Sequence, residues 1–261
     1  MKTALVTGAS SGIGREIAIA HAKNHGDVVV VARRKEELEK LKAELEEKYE
    51  IKVLVIVQDL IEDGAAQKVF DLVQEKNVQV DYLVNNAGFG DYNFFKNTTI
   101  EHNKRMINLN ITALTEFCHI YTQYWIKNKI QGKIMNVAST AAFQGTPHVS
   151  VYAATKAFVL SLSETLALEL KKDDISVTVL CPGPTKTDFA ANTQMDQALA
   201  QHKLLPTAED VAVYGYKKML SGKTIAVQGI LNKAGANSGK FVPRKFASSM
   251  AGKVMKKAGG K

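Results

Sequence analysis

The chain has 261 residues, of which 46% are hydrophobic and 23% charged, so it is long enough for one α/β domain and too apolar to be disordered. No run approaches about 18 consecutive apolar residues, which predicts that no helix spans a membrane. Its two cysteines, Cys118 and Cys181, are too few for a disulfide scaffold and indicate a reducing, cytoplasmic setting.

The formal net charge of +8 is unevenly distributed along the chain. No acidic residue follows Asp210, and the last 51 residues hold eleven of the 34 basic ones. Residues 1–210 therefore carry 23 basic and 26 acidic side chains, a net charge of −3. A nucleic-acid-binding domain is expected to be basic on its binding body, so this distribution argues against that class and assigns the charge to a C-terminal tail.

Short apolar runs alternate with longer helical patterns from the N-terminus onward. The predicted strands are Thr3–Thr7, Val28–Ala32, Val53–Val57, Tyr82–Val84, Lys133–Val137, Val177–Leu180 and Ile225–Val227. The predicted helices are Gly12–His25, Glu36–Tyr49, Glu62–Lys76, Asn103–Lys127, Tyr152–Lys171 and one that begins at Thr207 with the capping-box spacing Thr207-x-x-Asp210. The alternation predicts a single-domain Rossmann fold, a doubly wound parallel sheet of about seven strands with helices on both faces. We assign residues 1–233 to this α/β domain and residues 234–261 to a basic C-terminal extension that is helical in part.

A glycine-rich turn, Thr7-Gly8-Ala9-Ser10-Ser11-Gly12-Ile13-Gly14, joins the first strand to the first helix. Gly8 allows a sharp turn, Gly12 leaves room for a phosphate, and Gly14 lets the helix pack close to the strand. A pyrophosphate at this helix N-terminus would meet free N–H groups and the favourable end of the helix dipole. The position between strand and helix predicts a dinucleotide site rather than a simple turn.

The end of the second strand indicates which dinucleotide binds. It lacks the Asp or Glu that accepts the ribose 2′-hydroxyl of NAD(H), and it carries Arg33 and Arg34 instead. An arginine can bind a 2′-phosphate through two parallel hydrogen bonds, so the pair favours NADP(H) over NAD(H). Asp59, which follows the third strand, suits a hydrogen bond to the adenine and equally a cap on the next helix.

Tyr152, Lys156 and Ser139 are the candidate catalytic residues. Tyr152 and Lys156 share one face of a predicted helix, and Ser139 follows a strand at the edge where open α/β sheets bind ligands. A phenol has an ordinary pKa near 10, and a neighbouring ammonium favours its ionised form. The serine hydroxyl could donate to a substrate carbonyl oxygen. By spacing alone, however, most Tyr-x-x-x-Lys pairs have no catalytic role.

Together these motifs resemble the short-chain dehydrogenases/reductases over nearly the whole chain, in their 3-oxoacyl-reductase-like or general carbonyl reductase form. The similarity lies in the glycine turn, in Asn85-Asn86-Ala87-Gly88, in the spacing of Ser139, Tyr152 and Lys156, and in Pro182-Gly183-Pro184-Thr185-Lys186-Thr187. With the residues above, the resemblance implies that the cofactor contacts Gly8, Ser10, Ser11, Gly12, Ile13, Gly14, Arg33, Arg34, Asp59, Leu60, Asn86, Ala87, Gly88, Tyr152, Lys156, Pro182, Gly183, Thr185 and Thr187.

The resemblance also implies a fourth catalytic residue, an asparagine in the long helix. Asn110 fits the family pattern because Ala113 supplies the small residue three positions later, and Asn108 is the alternative. The implied reaction moves a hydride between the nicotinamide and a carbonyl or secondary alcohol. In it Tyr152 transfers the proton, Ser139 orients the oxygen, Lys156 lowers the pKa of Tyr152 and binds the ribose, and Asn110 holds a water that leads to solvent. A non-catalytic dinucleotide sensor or scaffold is the alternative function, but all four catalytic positions are filled.

The substrate segments of such proteins correspond here to residues 89–95, 140–150 and 188–205. They contain the aromatic residues Phe89, Tyr92, Phe94, Phe95, Phe143, His148 and Phe189, which favour a fairly apolar carbonyl or alcohol substrate. Residues 188–205 could form a lid. No His, Cys or Asp cluster has metal-ligand spacing. The resemblance suggests a homodimer or homotetramer built through the long helices, while substrate, direction and subunit number stay open.

The C-terminal tail has the pattern of a basic amphipathic helix. Phe246, Met250 and Val254 recur every four residues, with Ala247, Ala251 and Met255 alongside, and Lys245, Lys253 and Lys256 on the other side. The pattern favours docking of the apolar stripe on the body or on a partner subunit. Weak contact with an anionic membrane surface is the alternative.

Overall fold

A computed structural model of the protein describes residues 1–187, 205–238 and 242–258. Its strands are β1 (Thr3–Thr7), β2 (Asp27–Ala32), β3 (Val53–Val57), β4 (Tyr82–Asn85), β5 (Lys133–Val137), β6 (Ser176–Cys181) and β7 (Ile225–Val227). They form one sheet in the order β3-β2-β1-β4-β5-β6-β7, and each neighbouring pair is parallel. The predicted doubly wound parallel sheet is therefore confirmed.

Helices cover both faces of the sheet. They are α1 (Gly12–Ala22), α2 (Lys35–Tyr49), α3 (Ala65–Glu75), α4 (Ile100–Ile107), α5 (Leu114–Asn128), α6 (Ser150–Glu169), α7 (Ala208–Leu220), α8 (Ile230–Ser238) and α9 (Arg244–Ala258). Side chains alternate along each strand, so β1 buries Leu5 in one core and Ala4 and Val6 in the other. The first core contains Trp125 from α5, and the second contains Leu41 from α2.

The long helix predicted over Asn103–Lys127 is divided in the structure. The helix α4 ends at Ile107, a π-helical turn covers Asn108–Ala113, and α5 continues to Asn128. Such a turn takes an extra residue into the helix and occurs frequently at functional sites. Asn110 lies in this turn and is buried.

The helix predicted over Glu62–Lys76 begins later, at Ala65. The residue before it, Gly64, has a φ of +70°, a left-handed conformation in which a residue with a side chain would be strained. The Asp59 carboxylate accepts a hydrogen bond of 3.1 Å from the Ile61 N–H, so residues 59–61 form a turn of their own. Asp59 therefore does not cap α3.

The order of the strands determines where a ligand can bind. β1 pairs with β2 on one side and with β4 on the other, so the sheet order reverses at this strand. In open α/β sheets, ligands bind in the crevice outside the carboxyl ends of the strands at such a point. The candidate site residues that follow β1, β2, β4, β5 and β6 are thereby brought to one edge of the sheet.

One helical segment of the described residues, Ser150–Asp173, is long and apolar enough to cross a membrane by length and composition alone. It consists of α6 and the short 3-10 turn that follows it. It packs against β5 and β6, and its Val159 and Ser163 are fully buried there. Packing on the sheet accounts for part of this apolar composition, since 33% of the most apolar window is buried and Phe158 and Leu168 are exposed.

Candidate active site

The glycine turn after β1 is held by an asparagine at the end of β4. The Asn86 side-chain amide donates to the Thr7 carbonyl at 3.0 Å and to the Gly8 carbonyl at 3.3 Å. A Cβ on Gly8 would lie 2.8 Å from the nitrogen of this amide, and one on Gly14 would collide with it. Gly8 also has a φ of +67°, so both its conformation and its surroundings require glycine.

The turn has an open side at Gly12. Its φ is +56°, and among the described residues an added Cβ would meet the Thr187 side chain, at 3.5 Å. The start of α1 therefore borders the space between Gly12 and Thr187, which lies in the segment after β6. A phosphate group fits this position, because the free N–H groups of the helix N-terminus point there.

The two arginines after β2 have different surroundings. The Arg34 guanidinium donates to the Ser10 hydroxyl at 3.0 Å and to the Ser11 hydroxyl at 2.6 Å, so it lies over the glycine turn. Arg34 is also the N-cap residue of α2, where the helix dipole disfavours a cation. An anionic ligand bound there would compensate the charge of the guanidinium. Arg33 instead lies 3.8 Å from the Asp59 carboxylate. Leu60 beside Asp59 is buried.

Ser139, Tyr152 and Lys156 come together beyond the end of β5. The Ser139 hydroxyl hydrogen-bonds the Tyr152 phenol and accepts the Ala141 N–H at 3.1 Å. The Lys156 ammonium donates to the Val137 carbonyl at 2.8 Å and lies 5.7 Å from the centre of the Tyr152 ring. A phenol and an ammonium group are thereby fixed on one face of α6.

Burial controls the ionisation of this pair. It raises the pKa of Tyr152 to about 12, against the opposite effect of the Ser139 hydrogen bond, so the lowering expected from Lys156 is not found. It lowers the pKa of Lys156 to about 8. Tyr152 therefore keeps its proton at neutral pH, while Lys156 can release one close to that range. The nearby Cys181 is not a nucleophile, because burial raises the pKa of its thiol to about 12.

Asn110 joins three parts of the site. Its side-chain oxygen accepts the Phe89 N–H at 3.1 Å, and its amide nitrogen donates to the Phe89 carbonyl at 2.9 Å and to the Thr155 hydroxyl at 3.0 Å. A Cβ on Gly88 would lie 2.9 Å from the Asn110 oxygen and 3.4 Å from the Lys156 nitrogen, so both groups border Gly88. Asn108 is only half-buried. The geometry therefore favours Asn110 of the two candidates.

Four supporting side chains are not indicated by the sequence motifs. Thr7 accepts the N–H groups of Asn86 and Ala87, each at 3.0 Å, and Thr155 donates to the Tyr152 carbonyl at 2.7 Å. The other two, Asn136 and Ser163, form a buried chain that starts at Asn85. Of these four, Asn136 could have been noticed from the sequence, since it is a polar residue on the buried strand β5 and a buried amide requires hydrogen-bond partners.

The segment after β6 closes the other side of the site. The Pro182 carbonyl accepts the Thr140 N–H at 2.8 Å, which ties this segment to the turn that follows Ser139. A Cβ on Gly183 would lie 2.5 Å from the side-chain nitrogen of Asn232, so α8 packs directly on this glycine. Thr185 donates to the Gly183 carbonyl at 2.9 Å.

Aromatic side chains from two candidate substrate segments meet near Tyr152. The rings of Tyr92 and His148 are stacked with their centres 5.0 Å apart, and the Phe94 ring lies 4.3 Å from that of His148. The Asn93 N–H donates to the His148 carbonyl at 2.7 Å. Phe189 and the proposed lid, apart from Leu205, lie outside the described residues.

Comparison with known proteins gives a consistent family. Residues 2–198 match the family described as short chain dehydrogenase. The chain is 28% identical over 239 residues to a 7beta-hydroxysteroid dehydrogenase of Mediterraneibacter gnavus, covering 90% of this chain and 89% of that protein.

Two solved structures are similar over most of their length. One is a short-chain dehydrogenase from Sphingobium yanoikuyae in complex with NADPH, with 29% identity, a TM-score of 0.83 and 92% of each chain covered. The other is a 3-ketoacyl-(acyl-carrier-protein) reductase from Brucella melitensis complexed with NADH, with 27% identity and a TM-score of 0.76. That similarity covers 87% of this chain and 94% of the Brucella chain.

Asn110→Ala is expected to lower the free energy of unfolding by about 1–3 kcal/mol, because it removes two hydrogen bonds to the Phe89 backbone and one to the buried Thr155 hydroxyl. The matched control Asn108→Ala, in the same π-helical turn, is expected to change it by less than about 0.5 kcal/mol. Urea unfolding of the three proteins measures the difference. Equal losses in both variants would contradict the structural role of Asn110.

Proposed function

The chain belongs to the short-chain dehydrogenase family, and from that premise we propose that it is an NADP(H)-dependent reductase of carbonyl groups with Tyr152 as its general acid and base. The family and its hydroxysteroid dehydrogenase relatives make the protein an oxidoreductase that acts on CH–OH groups. The observation that carries the finer proposal is the buried Ser139–Tyr152–Lys156 group, which lies at the same sheet edge as the glycine turn.

The residues at this edge fit a nicotinamide dinucleotide. The Gly12 side of the turn accommodates the pyrophosphate, and Arg34 with Ser10 and Ser11 forms a cationic cradle for a 2′-phosphate. We assign the adenine end to Asp59 and Leu60, and the nicotinamide end to Asn86, Ala87, Gly88, Pro182, Gly183, Thr185 and Thr187. The bound dinucleotide supplies the hydride for reduction and accepts it in oxidation.

Tyr152 is proposed to supply the proton. Its high pKa keeps the phenol protonated at neutral pH, as a general acid requires. Ser139, which already hydrogen-bonds this phenol, donates to the same substrate oxygen and orients it. The hydride forms a C–H bond at the carbonyl carbon, the Tyr152 proton forms the O–H bond, and a secondary alcohol results.

Lys156 and Asn110 are proposed to return the proton to Tyr152. The low pKa of Lys156 allows its ammonium to give up a proton near neutral pH. Asn110 borders Gly88 together with Lys156 and is tied to the chain segment at Phe89, which leads to the surface. A water held at Asn110 would connect the ammonium to solvent.

We further propose that the substrate is a bulky apolar ketone or alcohol of hydroxysteroid-like size. The His148 ring stacks on that of Tyr92 and contacts the tilted Phe94 ring, and His148 lines the same small cavity as Tyr152. The name of the Mediterraneibacter relative supports this class. The exposed apolar side chains of Ile126 on α5 and of Phe158 and Leu168 on α6 support assembly as a homodimer or homotetramer.

Tyr152→Phe is expected to lower kcat for NADPH-linked ketone reduction by at least about a hundredfold, because the proton donor is lost. The dissociation constant for NADPH should stay within about twofold, since the phenyl ring remains. Loss of absorbance at 340 nm and NADPH fluorescence titration measure the two quantities. Tyr124→Phe, a tyrosine that packs on Phe70 away from the site, is the control.

The same assay tests the pH dependence. An ammonium is charged below its pKa, so proton return through Lys156 should weaken and kcat/KM for reduction should fall as the pH rises above about 8. Substantial reduction by Tyr152→Phe, or rates that increase with pH, would contradict the proposed acid.

Arg34→Gln is expected to raise KM for NADPH by about tenfold or more and to leave KM for NADH within about twofold, because the cradle for the 2′-phosphate is lost. Lys35→Gln removes the same charge from the neighbouring exposed position and serves as the control. Steady-state kinetics with both dinucleotides measure the preference. Equal effects of Arg34→Gln on both cofactors, or an equal effect of Lys35→Gln on NADPH, would overturn the assignment of NADP(H).

A further inference from the structure

The C-terminal helix α9 docks on the body through its small residues. A Cβ on Gly252 would lie 2.9 Å from the Pro147 ring, and one on Gly145 would lie 3.1 Å from the Ser248 hydroxyl. Ala247 is buried at the same contact. The helix therefore lies on residues 145–147, immediately before His148, and its orientation is fixed by this close approach.

Two large apolar side chains of α9 lie away from this contact. Phe246 and Met250 are one turn apart and lie on the side of the helix away from Ser248 and Gly252. They are 55% and 51% exposed. Within the predicted apolar stripe, Ala247 is thus buried while Phe246 and Met250 are half exposed. The side chains of Val254 and Met255 are not among those that the structure describes.

Lysines surround this outward apolar pair. Lys245, Lys253 and Lys256 are exposed, and Lys253 follows Met250 by three positions, so these two side chains share one face of the helix. Lys253 therefore does not lie on the side opposite the apolar residues, where the sequence pattern placed it. No acidic residue follows Asp210, so the tail offers no carboxylate to neutralise them.

We propose that this outward face of α9, formed by Lys245, Phe246, Met250, Lys253 and Lys256, binds the surface of an anionic lipid bilayer. Lysines are attracted by anionic head groups, and their alkyl stems can lie along the interface while Phe and Met side chains enter it. The match in charge favours this occupant over a second copy of α9, whose lysines would repel the first. A nucleic acid would match the charge but not the apolar pair.

The test uses the full-length protein in sedimentation with two kinds of vesicle. One kind is phosphatidylcholine alone, and the other contains about 30% phosphatidylglycerol. The protein should sediment with the anionic vesicles only, and raising the salt from about 50 mM to about 500 mM NaCl should weaken binding by about tenfold. Absence of binding to anionic vesicles, or equal binding to both kinds, would overturn the proposal.

Variants distinguish this surface from general charge effects. The triple variant Lys245→Gln, Lys253→Gln, Lys256→Gln should weaken binding by about tenfold, and Phe246→Ser with Met250→Ser should weaken it by at least about threefold at unchanged charge. The matched controls are Lys48→Gln, Lys68→Gln, Lys76→Gln on exposed body lysines, and Leu220→Ser at an exposed apolar residue of α7. Equal losses in the controls would contradict a role for α9.

Light scattering tests the alternative that the outward face of α9 contacts a second copy of the chain. If Phe246→Ser with Met250→Ser lowers the molar mass of the protein in solution, the face contacts a second copy and the lipid proposal is wrong. An unchanged mass together with lost vesicle binding supports it. Both readouts are independent of reductase activity, so this proposal and the proposed function can fail separately.

Discussion

The buried ammonium of Lys156 donates to the carbonyl of Val137, the last residue of β5, and this contact determines where α6 meets the sheet. Burial also lowers the pKa of that ammonium, because few groups around it compensate the lost water. Since Tyr152 lies one turn before Lys156, the same contact holds the phenol beside Ser139. The contact thus positions the proposed acid Tyr152, and burial at the same place lowers the proton affinity of Lys156.

A second set of contacts joins the proposed dinucleotide region to the group of Ser139, Tyr152 and Lys156. Asn86 holds the glycine turn, and two residues later Gly88 borders both Asn110 and Lys156. The single strand β4 and the segment after it thereby connect the turn after β1 with the proposed proton path. Because the parallel strands all end at one edge of the sheet, these contacts span residues that are far apart in the sequence.

The apolar runs predict the sheet closely, because buried parallel strands are delimited by polar and glycine residues. The strands Thr3–Thr7 and Lys133–Val137 have the predicted bounds. The π-helical turn around Asn110 was not predictable, since it accompanies hydrogen bonds to Phe89 and Thr155 that depend on tertiary packing. The side on which α9 docks could likewise not be predicted, because it depends on the close approach of the helix to Gly145 and Pro147.

The residues at this sheet edge are proposed to catalyse hydride transfer from NADPH to a carbonyl carbon, and an isotope-transfer experiment follows that hydride. The protein is incubated with a bulky apolar ketone and NADPH carrying deuterium in the transferable position at C4 of the nicotinamide, and the product is analysed by mass spectrometry. We expect a secondary alcohol with one deuterium on the carbinol carbon for each NADPH consumed. NADPH binding without any labelled alcohol across a panel of apolar ketones would contradict it.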